Sequence, residues 1–287
     1  MDLKVLETFV KVCDLGSITA AAEALQMTQP GASKQVHRLE AALGCALLTR
    51  VESGVQLTDK GREAYHRAKT ILREWNQLAA YCQNPSSTLT GELRIAASSI
   101  PSKFLLPSRL TRFHHAYPAV ELMVQVCDSE QALDLLAKQS VDLACVGMKP
   151  QSPEMVAVPF AQDRLVVIAP TEIHQEFSWR ESPFILRESG SGTRQATEQV
   201  LRDLGVSVDT LKRAAQANDP DLILQMVEKG LGVAVVSGFQ AEDAMNSGKR
   251  IQIVEELPER RQFYTVRLRN REEEALIHAF LSSAMAV

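Results

Sequence analysis

Much of what marks a membrane protein, a secreted scaffold or a metalloenzyme is missing from these 287 residues. No apolar run approaches the roughly 18 residues of a membrane span, and the opening Met-Asp-Leu-Lys has no signal-peptide core behind it. A cytoplasmic chain without membrane contact is expected. Cysteines number five, at 13, 45, 82, 127 and 145, with no CxxC among them and apolar neighbours around them. Buried thiols in a reducing compartment follow, rather than a disulfide or a zinc site. The adjacent His114 and His115 would point apart on a helix, so no metal ligands are assigned. Catalytic signatures are lacking too. "SGSGTR" has no Lys-Ser/Thr of a phosphate-binding loop, and neither GxSxG nor HExxH occurs. "GLG" at 230–232 precedes a strand-like run, the reverse of the dinucleotide-binding order. Acidic neighbours such as Glu255 and Glu256, or 272–274, read as solvated surface. No nucleophile, base and orienter fall together, so neither catalysis nor a cofactor is expected.

A strong charge of one sign is absent as well. The net charge is −4, but the first 90 residues hold 10 Lys and Arg against 9 Asp and Glu, leaving 21 against 26 for the rest. The amino-terminal part is the less acidic one. It is also the most legible. Leu3, Leu6, Phe9, Val10 and Cys13 recur at helical spacing up to Gly16, and Ser17 can cap the thin, alanine-rich "SITAAAEAL". Three residues later "LQMTQPGASKQVHRLE" opens another helix. Thr28 is its N-cap, and Pro30 falls in the first turn, where a missing N–H goes unnoticed. Ala32, Val36, Leu39 and Leu43 form one apolar face; Ser33, Lys34, His37 and Arg38 form a polar, basic one. Two short helices joined by a tight turn, the second polar on its outer side, make a helix-turn-helix. "CALLTRVESGVQLTDKG" then reads as a hairpin wing.

From Thr58 a long helix carries Ala64, Ala68, Ile71, Trp75, Leu78 and Cys82 at alternating spacings of four and three, a heptad seam. Tyr65, Leu72 and Ala79 widen it beyond what a lone exposed helix would carry, so pairing with a second copy is expected. "QNPSSTLTG" reads as a linker. Beyond it, "ELRIAAS", "AVELMVQVC" and "VDLACVGM" alternate with helical stretches at 103–116 and 129–139. A second round, "RLVVIAP", "FILRE", helices from about Thr193 and at 220–229, "GVAVVS", "FYTVRLR" and a last helix at 272–284, completes two α/β lobes around mostly parallel sheet. Crossings near 161–164 and 263–268 would leave a cleft, with ligands expected at strand carboxyl ends. Ser98, Ser99, Ser102, Ser129 and Gly147 follow such strands, and "RESGSGTR" offers Ser191, Thr193, Arg194 and a helix N-terminus to an anion.

The stretch "GSITAAAEALQMTQPGASKQVHRLEAALGCALLTR…VQLTDKG" resembles the signature of the LysR-type transcriptional regulators, and the order of elements matches that family over essentially the whole chain. The "RESGSGTR" loop is similar to the branch containing regulators of sulfur assimilation and carbon fixation. The resemblance implies an α/β protein with an N-terminal winged helix-turn-helix and a two-lobed, periplasmic-binding-protein-like effector domain. The expected divisions are 1–60 for the winged helix-turn-helix, 61–90 for linker helix and hinge, and 91–287 for the effector domain, with lobe I at about 91–162 and 267–287 and lobe II at 163–266. Expected partners are double-stranded operator DNA, a small anionic metabolite, and further copies of the chain, paired through the linker helix and assembled as a tetramer. DNA contact is assigned to Ser17, Thr28, Gln29, Pro30, Ser33, Lys34, His37, Arg38 and Arg50. The family's common Leu-Ser-Arg is here Ala32, Ser33 and Lys34, which keeps a cation and loses the guanidinium fork. Arg50 is retained, while the wing carries Glu52, Ser53 and Gln56 where arginines are common. A two-lobed α/β enzyme and a ligand-independent DNA-bridging protein are the alternatives; turnover of a metabolite would mark the first, and footprints indifferent to metabolites the second.

Overall fold

The structure, a computed structural model, describes residues 2–51, 54–83, 89–172, 177–203, 205–271 and 274–285. The side chain of Cys82, the wing residues Glu52 and Ser53, and most of the expected linker lie outside the described residues. Two compact units are present, Met1–Gly91 with Lys138–Ser140, and Glu92–Ala137 with Val141–Val287.

In the first unit α1 (Leu3–Leu15) starts at Asp2, whose carboxylate accepts from the Lys4 N–H, and stops at Gly16 in the left-handed region at φ 62°. Next come α2 (Ile18–Ala24) and α3 (Gln29–Leu43), each capped by the expected hydroxyl, Ser17 and Thr28. The strands β1 (Leu48–Val51) and β2 (Gly54–Leu57) pair antiparallel as the wing. Val5, Leu6, Phe9, Val10, Leu39 and Leu47 form the core. The long helix α4 (Asp59–Gln83) begins where the Thr58 hydroxyl accepts from the Gly61 N–H. Its first half packs Ala64, Tyr65, Ala68 and Leu72 on that core. Further along, Ile71, Trp75 and Leu78 are 48%, 51% and 54% exposed. One seam therefore serves two purposes: its start holds the linker helix to the winged head, and its continuation is bare. Leu43, expected on the core face of α3, is instead 50% exposed, as the last residue of that helix.

In the second unit the strands β3 (Gly91–Ala97), β4 (Val120–Val126), β5 (Leu143–Val146), β6 (Met155–Pro170), β9 (Ala234–Ser237) and β10 (Ile251–Leu268) form one sheet in the order β4-β3-β5-β10-β6-β9. A two-stranded parallel pair, β7 (Phe184–Arg187) and β8 (Arg213–Ala217), is tied to the Val233 end of β9 by a bridge at Phe184. The sheet is mixed rather than mostly parallel: β3 and β5 are parallel, but β10 runs antiparallel to both β5 and β6, and β6 antiparallel to β9. The cause is the length of β6 and β10, which run side by side from one lobe into the other. "RLVVIAP" and "FYTVRLR" are only their carboxyl ends. Their first halves are disguised by Pro159, which a strand tolerates beside a bulge, and by the charges around Pro258. β10 pairs with β5 from Tyr264, inside the stretch 263–268 where the return crossing is expected.

The helices are α5 (Leu106–Ala116), entered through a π-helical turn at Pro101–Leu105, then α6 (Ser129–Ala137), α7 (Gly192–Asp203), α8 (Pro220–Glu228), α9 (Gly238–Asn246) and α10 (Ala275–Ala284). Along β6, Leu165, Val167 and Ala169 face one apolar cluster and Val166 and Ile168 another. Both faces of lobe II are thus covered, which is why the sequence there is an unbroken apolar run. The acidic pairs are not simply solvated: Glu255 accepts from the Trp179 indole N–H at 3.1 Å, Glu256 pairs with Arg164 at 2.7 Å, and Glu274 pairs with the buried Arg271.

Candidate functional site

Two places bring the expected residues together. The first is α3. Its Thr28 hydroxyl accepts from the Gly31 N–H at 3.3 Å, and a Cβ on residue 31 would stand only 3.1 Å from that oxygen. Ala32, Val36 and Leu39 are buried, which leaves Gln29, Pro30, Lys34, His37 and Arg38 exposed, with Ser33 half-buried beside them. Among the described residues Lys34 and Arg38 have no ion-pair partner. His37 is held at 3.1 Å by Glu40, whose other oxygen accepts from the Leu47 and Leu48 N–H groups at 2.8 and 3.2 Å. That carboxylate fixes the entry of the wing against the helix. Arg50 is exposed on β1, and the Ser17 hydroxyl is engaged by the Ala20 N–H.

The second place is a cavity between the two lobes of the second unit. Ser98, Ser99, Asp128, Ser129, Gly147, Arg187, Ser191, Gly192, Thr193, Arg261 and Phe263 are among the residues that line it. The α6 and α7 N-termini both open onto it, at Ser129 and Gly192. Ser129 is 1% exposed and its hydroxyl has no hydrogen-bond partner among the described residues. A Cβ on residue 192 would lie 2.9 Å from that oxygen and 3.0 Å from the Gly147 carbonyl carbon, so the lobes meet here across glycine. The space inside is about 10 Å³, room for about one water.

Two guanidinium groups give the cavity its cationic side. Arg187 holds Glu188 at 2.8 and 2.7 Å. Arg261 holds Asp163 through Nε at 2.9 Å and Nη2 at 2.7 Å, lies 4.8 Å over the Phe263 ring, and donates from Nη1 to the Thr193 hydroxyl at 2.8 Å. Burial pushes the Arg261 guanidinium below its ordinary value, against the opposing pull of Asp163. It remains a cation.

Of the expected cleft residues, Ser98, Ser99, Ser129, Gly147, Ser191 and Thr193 line this cavity. Ser102 and Arg194 do not. Ser102 donates its hydroxyl to the Ser99 carbonyl at 3.0 Å and faces a separate crevice beside Lys103 and Phe104. Arg194 is carried round the first turn of α7, where Nε meets Glu198 four residues on at 2.5 Å beside an outer groove. Asp128, Arg187, Gly192, Arg261 and Phe263 were not expected. Arg187 and Gly192 sit within the quoted loop and could have been chosen with it; Arg261 could not, since only strand register sets it opposite Asp163. No group of three or more His, Cys, Asp or Glu suited to a metal exists among the described residues. Burial pushes the Cys13 and Cys145 thiols up to about 12 and the Cys127 thiol to about 11, which keeps them protonated and unreactive near neutrality. No helix among the described residues is long and apolar enough to cross a membrane.

Comparison with known proteins matches residues 86–286 to the LysR substrate binding domain and residues 3–62 to the bacterial regulatory helix-turn-helix protein, lysR family. A RuBisCO operon transcriptional regulator of Allochromatium vinosum is 32% identical over 280 residues, covering 94% of this chain and 91% of its own. The HTH-type transcriptional regulator CbbR of Sinorhizobium medicae (strain WSM419) is 32% identical over 289 residues, covering 98% and 91%. Among solved structures, full-length CbnR complexed with its target DNA superposes with a TM-score of 0.71 at 20% identity over 99% of both chains. The Synechocystis PCC6803 CcmR regulatory domain in complex with 2-PG gives 0.61 at 25% identity over 68% of this chain and 96% of its own.

Proposed function

The chain belongs to the LysR family of transcriptional regulators, and on that premise we propose that it reads an operator through α3 and changes its grip on DNA when a small anion occupies the cavity around Ser129. The observation that carries the cavity half is the Ser129 hydroxyl. A buried hydroxyl without a partner forfeits about 1–3 kcal/mol, a cost a ligand oxygen would remove. Two guanidinium groups, each also holding a carboxylate, and two helix N-termini supply donors for an anion, while the Asp128 carboxylate in the same lining accepts from the Gln131 N–H at 2.8 Å. A small carboxylic or phosphorylated acid fits that chemistry, and 2-PG, with which the CcmR regulatory domain is in complex, is the ligand to try first. Ser98, Ser99, Gly147, Ser191 and Thr193 complete the proposed set. Calorimetry with 2-PG on the Ser98→Ala, Ser129→Ala variant tests it: affinity should drop by about 0.5–1.5 kcal/mol for each hydrogen bond lost. An unaltered affinity would make the cavity a packing feature.

For DNA, Gln29 and Lys34 are the proposed base-edge contacts in the major groove, with Ser33 and Arg38 towards the phosphates and Ser17, Thr28, Pro30, His37 and Arg50 around them. Lys34→Ala should weaken operator binding by about 1–3 kcal/mol and leave binding to random DNA nearly as it was. Equal losses on both would demote Lys34 to a phosphate contact.

The same reading includes assembly. The bare face of Ile71, Trp75 and Leu78 supports pairing of two α4 helices, which would set two α3 helices on half-sites about one helical turn, or a multiple, apart. Ile71→Asp should give monomeric or aggregated protein with poor operator affinity; light scattering showing a normally assembled variant would contradict the pairing. Val124 and Val126, on one face of the edge strand β4, are also exposed, a second apolar surface that supports a tetramer of such dimers. The divisions 1–60, 61–90 and 91–287, action in the cytoplasm, and the absence of turnover belong to this proposal as well.

A further inference from the structure

Arg261 occupies a mechanically distinct position. β6 and β10 are paired almost continuously, but their register shifts between Glu256 and Arg260 and again between Phe263 and Tyr264. Between the two irregularities lies a block of four pairs, Arg260–Arg164, Arg261–Asp163, Gln262–Gln162 and Phe263–Ala161. It sits where the strands pass from one lobe to the other. Bulges loosen a strand's constraint on its neighbour, so this block can shift with less cost than the regular ladder on either side.

The block carries one charged side chain into the cavity. Arg261 is 6% exposed and Asp163 1%, so each buried charge depends on the other. Of the three guanidinium N–H groups that Arg261 does not give to Asp163, one on Nη1 goes to the Thr193 hydroxyl, a neutral acceptor on the first turn of α7. At 2.8 Å no ligand atom fits between them, and the cavity has room for about one water. An anion larger than a water needs more room than this, which withdrawal of α7 from Arg261 would supply, and once inside it offers the guanidinium a stronger, charged acceptor. Ser129, whose hydroxyl has no partner, stands on the opposite lobe as the second donor.

We propose that Arg261 is the group through which occupancy of the cavity reaches the strands joining the lobes, by passing its Nη1 hydrogen bond from the Thr193 hydroxyl to an oxygen of the bound anion. Empty, the cavity is closed by Arg261 on Thr193. Filled, that tie between α7 and the crossing strands is replaced by a bridge from Arg261 through the anion to Ser129, and the four-pair block moves with it. The inference rests on the cavity being the anion site.

Full-length protein is melted in inorganic phosphate and, at matched ionic strength, in chloride. The parent should gain about 3–6 °C in phosphate at tenfold saturation, beyond the chloride value. Arg261→Gln with Asp163→Asn replaces the buried ion pair by a neutral and shorter pair of hydrogen-bonding amides, and should lose that gain. Arg261→Lys, which keeps the charge but has one ammonium for both Asp163 and the anion, should keep part of it; this variant decides if the double one does not fold. A gain undiminished in Arg261→Lys and in the double variant, yet lost in Ser129→Ala, overturns the role of Arg261 and leaves the cavity as the anion site. No gain in the parent overturns both.

Discussion

Arg261→Met should destabilise the second unit by about 3–5 kcal/mol, because it strands Asp163 in the interior without its cation. The Asp163 side chain is 1% exposed and takes both of its guanidinium hydrogen bonds, at 2.9 and 2.7 Å, from this one residue. A carboxylate left there has neither water nor a counter-charge, and Thr193 loses its donor at the same time. Denaturant unfolding would report the change as a lower midpoint at an unchanged slope. Removing both charges together should recover most of the loss, since a neutral pair has no such desolvation cost. A single variant within about 1 kcal/mol of the parent would mean that the Asp163 carboxylate relaxes to solvent or to another partner, and the pair would no longer anchor the crossing strands.

Gly61→Ala should be nearly as damaging for the first unit. A Cβ there would lie 2.0 Å from the Leu47 carbonyl oxygen and 2.9 Å from its carbon, backbone atoms that cannot swing aside. The same carbonyl accepts from the Thr58 N–H at 3.0 Å, and the Thr58 hydroxyl caps α4 through the Gly61 N–H at 2.9 Å. Relief requires lifting the start of α4 off the wing. Overpacking of about 1–3 kcal/mol and loss of a cap worth about 1 kcal/mol would act together. Leu47, wholly buried, would lose its seat, so operator affinity should fall even where the head stays folded. A thermal melt and a DNA titration on the same sample check both effects. Parent-like values in each would show that the junction yields at little cost.

The amino-terminal unit was the more legible because its determinants are local. Caps at Ser17 and Thr28, the stop at Gly16 and the apolar spacing of α1 and α3 each lie within a few residues of what they control. Leu43 escaped because periodicity shows which face a residue shares, not how far along the helix that face is covered. In the second unit the same local signals found Ser98, Ser129, Ser191 and Thr193, all at strand ends or helix starts. What they could not reveal was long-range pairing. Strands β6 and β10 are matched over a sequence separation of about a hundred residues, and the bulges that make them a crossing also break the alternation by which strands are recognised. Arg261 became a cleft residue through that register alone. Arg194, with the right chemistry in the right loop, was turned away by the helical twist and claimed by Glu198.

The central claim is that the reading head and the cavity belong to one coupled equilibrium. An anion that shifts operator affinity must have its own affinity shifted by the operator by the same factor, since the coupling free energy is shared. Calorimetric titration of 2-PG into the full-length protein, free and then saturated with operator duplex, measures that factor directly. Two affinities differing by about fivefold or more, matched by an equal change in operator affinity when 2-PG is saturating, are the predicted result. Saturable binding of 2-PG with one affinity in both states, together with an operator affinity that 2-PG leaves unchanged, would contradict the account.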